Sequence, residues 1–251
     1  MNDIWAACDG PKHIGALRET AIRIVEAQEQ IATRSLVDTL AEQALLEDML
    51  DATKPGVPAF AARRHYLIQT PFRYPPLPCG SRFGDRRYRG VFYASLDLRT
   101  AFAECAYYRL VFLSGMETPP AGDALVTQHT SFQVEVRTKR GVHLDRAPFD
   151  AHAASLASRV SYAATQRLGD RMRDAHVEAF VYVSARAAAG GRNIGAFEAG
   201  AIASREPRAM RAWSCFTTHA EVSFLAAHVP ERFAFARRDF LVNGKLPAPA
   251  V

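Results

Sequence analysis

The 251-residue sequence predicts an α+β fold: a mixed or antiparallel β core with flanking helices, preceded by a helical N-terminal segment. Three observations point that way. Helical spacing of apolar residues dominates Ile14 to Ala52, the strand patterns that follow are short and alternate irregularly with helices, and Val91 to Leu113 passes directly from a strand pattern into a helical one. A doubly wound parallel sheet is disfavoured, because it requires strands and helices in regular alternation. The stiff segment Lys54 to Pro58 divides the chain into a helical extension, residues 1–58, and a main domain, residues 59–251.

In chain order, Ile14, Leu17, Ala21, Ile24 and Val25 supply one apolar face, and Leu36, Leu40, Ala44 and Leu45 another, which reads as two helices. Glu42, Glu47, Asp48 and Asp51 read as a solvated face. Arg63 to Ile68 fits a strand or a short helix, and the four prolines between Thr70 and Pro78 argue against regular helix and for an extended path. Ser81 to Arg89 is a basic loop with four arginines in nine residues. Val91 to Ala94 has the content of a buried strand, and Asp97 is placed to cap a helix with Leu98, Phe102, Cys105 and Ala106 on its buried face. Beyond the Gly115 to Asp123 loop, Thr130 to Val136 alternates as a half-buried strand and Gly141 to Asp145 forms a second short one. Ala151 to Asp174 is helical, with Tyr162, Leu168 and Met172 as core positions, and Glu178 to Val183 is a strand ending at Ser184. Ala188 to Gly195 reads as a loop, and Trp213, Phe216, Val222, Phe224 and Phe233 supply core to the last strands.

Composition limits the function classes. Hydrophobic residues make up 49% of the chain, enough for a sizeable core in a soluble globular protein. The formal charge of +5 comes mostly from arginine, whose forked donors suit phosphates and carboxylates. The charge is spread along the chain, so direct nucleic-acid binding is disfavoured. Four cysteines without CxxC spacing read as reduced thiols of a cytoplasmic protein with no metal site. No stretch reaches the roughly 18 apolar residues of a membrane span.

The residues that attract attention are Arg73 and Arg82, Tyr93, Glu104, and Ser184 with Arg186, Arg192 and Asn193. Glu104 lies in an apolar helix, where a carboxylate needs a positive or hydrogen-bonding partner; the nearest positive charge in sequence is Arg82 with its neighbours. Ser184 lacks the flanking glycines of a nucleophile elbow. No Walker loop, GxGxxG or HExxH motif is present, and none of the eight histidines has a motif around it.

GSRFG, GVFYAS, TAFAE followed by Tyr107 and Tyr108, and VSARAAAGGRN occur in an order that resembles the RES domain, over roughly Arg64 to Phe240. Tyr93 follows Arg82 by eleven residues and Glu104 follows Tyr93 by eleven more, as the resemblance requires. It implies an ADP-ribosyltransferase-like fold and a bacterial toxin of a type II toxin–antitoxin pair. NAD would be a substrate rather than a cofactor, cleaved at the nicotinamide–ribose bond with inorganic phosphate or water as acceptor, or used to ADP-ribosylate a protein. A non-catalytic antitoxin-binding module is the alternative from another class. The implied partner is an antitoxin with an Xre-type helix-turn-helix; the oligomeric state, a homodimer included, is left open. Arg82, Tyr93, Glu104 and Ser184 would be the catalytic set, with Arg73, Arg82, Tyr93 and Asn193 binding NAD. Ser184 is expected to hydrogen-bond the substrate.

Overall fold

A computed structural model describes the chain apart from residues 1–2, 28–37, 60, 75–77, 119–121, 123, 189 and 249–251. Its centre is an eight-stranded sheet of order β1-β2-β5-β4-β3-β6-β7-β8, formed by β1 (Gly15–Glu26), β2 (Phe92–Ser95), β3 (Leu125–His143), β4 (Ala179–Val183), β5 (Arg192–Ala196), β6 (Arg208–Thr217), β7 (Glu221–Ala226) and β8 (Arg232–Ala236). Only the β3–β4 pairing is parallel among the described strands. The expected mixed α+β architecture with flanking helices is what forms.

β3 is the spine. Its first half pairs with β6 from Leu125↔Thr217 to Gln133↔Arg208, and its end pairs with β4 from Gly141↔Ala179 to His143↔Val181. Its other edge carries β1 from Gly15↔Gly141 to Glu26↔His129. Because β1 also meets β2 at Ile22↔Ser95, the strands β1, β2, β5, β4 and β3 close on themselves. Both faces of β4 are consequently covered: Ala179 and Val181 join one apolar cluster while Phe180 and Tyr182 join another.

The helices are α1 (Ile4–Ala7), α2 (Leu40–Thr53), α3 (Tyr66–Arg73), α4 (Leu98–Ser114), α5 (Ala153–Leu156) and α6 (Ala163–Asp174). α4 begins as its sequence requires, with the Asp97 carboxylate accepting from the Thr100 amide at 2.7 Å. Phe102 anchors it to the sheet, its ring centroid 4.6 Å from that of Trp213, 4.4 Å from Phe224 and 4.7 Å from Phe233. Tyr162, Leu168 and Met172 are buried as expected.

Three expectations are corrected. Residues 15–26 are a strand of the main sheet, so the helical reading of Ile14 to Ala52 holds within the described residues only for α2, and Leu36 lies outside them. Leu17 and Ala21 share a face at a spacing of four, which a strand satisfies as well as a helix does; the β-branched Thr20, Ile22, Ile24 and Val25 favour the strand. The N-terminal segment thus contributes β1 to the same sheet as the strands beyond position 58. Second, α3 includes Pro71 despite the proline-rich sequence: the proline falls in the last turn, and Ile68 and Phe72, buried one turn apart, fasten the helix to the core. Third, the expected loop from Ala188 gives way at Arg192 to β5, where Gly195 is required because a Cβ there would lie 2.3 Å from the Phe180 ring. Phe216 is only half-buried; its neighbour Cys215 faces the core instead.

Among the described residues no helix is long and apolar enough to cross a membrane, and no three His, Cys, Asp or Glu side chains gather as a metal site. The four cysteines are free thiols.

Candidate active site

A cavity of about 420 Å3 lies where β1, β2, α4 and the 80–82 loop meet. Arg82, Tyr93, Glu104 and Asn193 line it, together with Tyr108, Tyr162 and Tyr182.

Glu104 projects from α4, and neutral donors hold it. Its Oε1 accepts from Ser184 Oγ and from Asn193 Nδ2, both at 2.6 Å. Each donor is itself fixed. Asn193, in β5, accepts through Oδ1 from Ser95 Oγ of the neighbouring β2 at 2.7 Å. Ser184 Oγ accepts from the Arg186 amide at 3.1 Å and the Ala187 amide at 2.9 Å. With one O–H given to Glu104 and two amides received, the hydroxyl has filled its hydrogen-bonding capacity. Short bonds to an ionised acceptor are the stronger kind, so the carboxylate is held in one orientation. Of the two kinds of partner a carboxylate in an apolar helix needs, positive or hydrogen-bonding, the structure supplies the hydrogen-bonding kind through Ser184 and Asn193.

Arg82 is 8% exposed. Its Nη1 donates to the carbonyls of Leu156 at 3.2 Å and Ser158 at 2.8 Å, and its guanidinium stacks 4.7 Å from the centre of the Tyr162 ring. The turn that carries it is tightly braced. Gly80 adopts φ +70, where a Cβ would also meet the Gly84 carbonyl at 2.4 Å, and Ser81 N donates to that carbonyl at 2.6 Å. Gln166 Nε2 donates to the carbonyls of Cys79 and Ser81, and Arg173 Nη1 to that of Phe83.

Tyr93 completes this brace. Its hydroxyl accepts from the Phe83 amide at 2.9 Å and lies 2.9 Å from Ser81 Oγ. Burial raises its pKa above the usual tyrosine value. Tyr182 is raised further by burial and then by the Glu104 carboxylate, which keeps the phenol in its neutral form.

Arg73 is not brought into this cavity: it ends α3, and its Nε donates to the Pro55 carbonyl. Ser184 stands behind Glu104 and is not among the cavity's lining residues. The four residues Arg82, Tyr93, Glu104 and Asn193 do converge there. Arg86, Arg87 and Arg89 are exposed, with Arg87 Nη2 bonded to Asp170 at 2.7 Å. Sequence reasoning missed Gln166, Arg173 and Ser95 as braces and Tyr108 and Tyr162 as lining. Tyr108 was legible, since it follows Glu104 by four residues and so shares its helix face; the others carry no local signal.

No curated protein sequence is significantly similar to this chain. It is similar to a chain in the crystal structure of the M. tuberculosis MbcT–MbcA toxin–antitoxin complex, at 11% identity and TM-score 0.49, with 87% of this chain and 94% of that chain covered. The model of the RES domain matches residues 57–218, well over half of the sequence and inclusive of Arg82, Tyr93, Glu104, Ser184 and Asn193. The chain therefore belongs to the RES-domain family.

Proposed function

We propose that the protein is an NAD-consuming toxin of a type II toxin–antitoxin pair that cleaves the nicotinamide–ribose bond. The observation that carries this reading is Glu104, a carboxylate fixed by Ser184 and Asn193 on the wall of a tyrosine-lined cavity that Arg82 also lines. Loss of nicotinamide leaves positive charge on the ribose, and a preorganised negative charge beside it lowers the barrier without reorganising when the charge develops. Arg82 supplies the positive charge for the pyrophosphate, through charge-assisted hydrogen bonds. Tyr162 holds that guanidinium from its other side, and the neutral phenols of Tyr93 and Tyr182 offer apolar faces for the planar parts of the substrate. Ser184 and Asn193 act through Glu104 as positioning residues, because their own bonds are already used there. Family membership supports an antitoxin as partner, encoded beside this chain and carrying an Xre-type helix-turn-helix.

The test is direct. Purified protein is incubated with NAD, and nicotinamide release is followed with and without inorganic phosphate. Release that needs phosphate identifies a phosphorylase and release without it a glycohydrolase. A folded protein that releases none under either condition, but labels a lysate protein from labelled NAD, is an ADP-ribosyltransferase. With neither release nor labelling, the catalytic reading fails.

A further inference from the structure

α4 turns Ala101, Glu104 and Tyr108 toward the first cavity, and Arg99, Thr100 and Ala103 toward a second one of about 370 Å3. Four arginines line this second cavity, Arg99, Arg159, Arg186 and Arg192, against two aspartates, Asp97 and Asp239. Asp97 is committed to α4, accepting from the Thr100 amide at 2.7 Å and from Thr100 Oγ1 at 2.6 Å. Arg192 has its own counter-charge in Asp145, 3.6 Å away.

Arg186 has none. It is 4% exposed, its guanidinium lies 3.5 Å from the centre of the Tyr107 ring, and its Nη2 donates to the Arg159 carbonyl at 3.2 Å. Its Nη1 is buried without a hydrogen-bond partner. A buried guanidinium that meets only a ring face and a carbonyl carries an uncompensated charge, which a bound anion removes. The surroundings suit one. Gly191 packs against the first turn of α4, where a Cβ would lie 2.3 Å from Thr100 Oγ1, so the cavity wall at Gly191 is backbone beside the positive end of a 17-residue helix. Arg159 braces the same wall through the carbonyls of Ala185 and Asp239.

We propose that this second cavity is a binding site for an oxyanion of the phosphate class, held by Arg186 with Arg159 and Arg99 and distinct from the Glu104 cavity. The site stands whether or not the chain cleaves NAD. The Arg186 amide donates to Ser184 Oγ, which holds Glu104, so an anion on Arg186 stiffens the segment that orients the carboxylate.

Sodium phosphate is titrated calorimetrically into wild-type protein, Arg186→Met, Arg99→Gln and Arg82→Gln at constant ionic strength, with ADP-ribose as a second probe. The expected result is phosphate binding to wild type and to Arg82→Gln, weakened at least tenfold in Arg186→Met and severalfold in Arg99→Gln. Orthophosphate binding marks a free-ion site, whereas binding of ADP-ribose alone with the same dependence on Arg186 marks a phosphate carried on a nucleotide. Met keeps the stack on Tyr107 and removes the charge, so unliganded Arg186→Met melts at or above the wild-type temperature. Unchanged phosphate affinity in Arg186→Met, loss of phosphate binding confined to Arg82→Gln, a melting temperature lowered by several degrees in unliganded Arg186→Met, or no binding of either probe that depends on Arg186 would overturn the proposal.

Discussion

At the scale of single residues, the site turns on how one carboxylate is oriented. Ser184→Ala removes one of the two bonds to Glu104 Oε1 and leaves the cavity's shape intact. Turnover of NAD is expected to fall by about ten- to a hundredfold in kcat, the range typical of losing one orienting hydrogen bond, with KM little changed. The same substitution made in a Glu104→Gln background adds almost nothing, since the two residues act as a unit. Additive losses would show that Ser184 acts on the substrate by a separate route. A different residue sets the response to acid. Burial, reinforced by Arg109, pulls His129 down from 6.5 to about 4, and its Nδ1 is buried without a partner. The folded chain thus binds fewer protons than the unfolded chain between these values, so stability is full above about pH 6.5 and declines as pH falls toward 4. The whole span corresponds to about 3 kcal/mol, of which about 2 kcal/mol falls between pH 7.5 and 5; urea midpoints at those two values measure that part against His129→Leu, in which the decline is expected to be smaller.

At the scale of elements, β1 is the strand whose role the sequence concealed. It pairs with β3 from Gly15 to Glu26 and closes the strand circuit at Ile22↔Ser95, and its Ile22 and Ile24 line the candidate cavity. Deleting residues 1–27 is therefore expected to abolish cooperative thermal unfolding, because the long edge of β3 would lose its hydrogen-bonding partner. A truncated chain that melts cooperatively near the wild-type temperature would mean that β1 is dispensable. Sequence spacing misread this strand because Leu17 and Ala21 repeat at four, an interval shared by both periods, and no turn residue interrupts the run. α4 was legible for the opposite reason. Asp97 caps it, Phe102 and Ala106 fall on one face, and its 17 residues are longer than an ordinary strand, so cap, period and length agree.

At the scale of the whole molecule, the four converging residues span 111 positions, from Arg82 to Asn193, and only the fold brings them together. Glu104 was detectable alone, as a charge in an apolar helix. Its partners were not, because Ser184 and Asn193 meet it only through the β2–β5–β4 pairing. Arg73 shows the limit of motif reading: the residue stands in a suitable sequence context, yet α3 ends there and sends it to the Pro55 carbonyl. Tyr93 was found as a site residue, and only the geometry gives its hydroxyl the task of holding the Arg82 turn. In the proposed reaction, Glu104 carries the charge that stabilises the ribose as nicotinamide departs. The most direct measurement is nicotinamide release by Glu104→Gln beside its affinity for ADP-ribose. The kcat is expected to fall by at least about a hundredfold with affinity within a few-fold of wild type, since Gln keeps the shape and removes the charge; a kcat within about threefold of wild type would rule that role out.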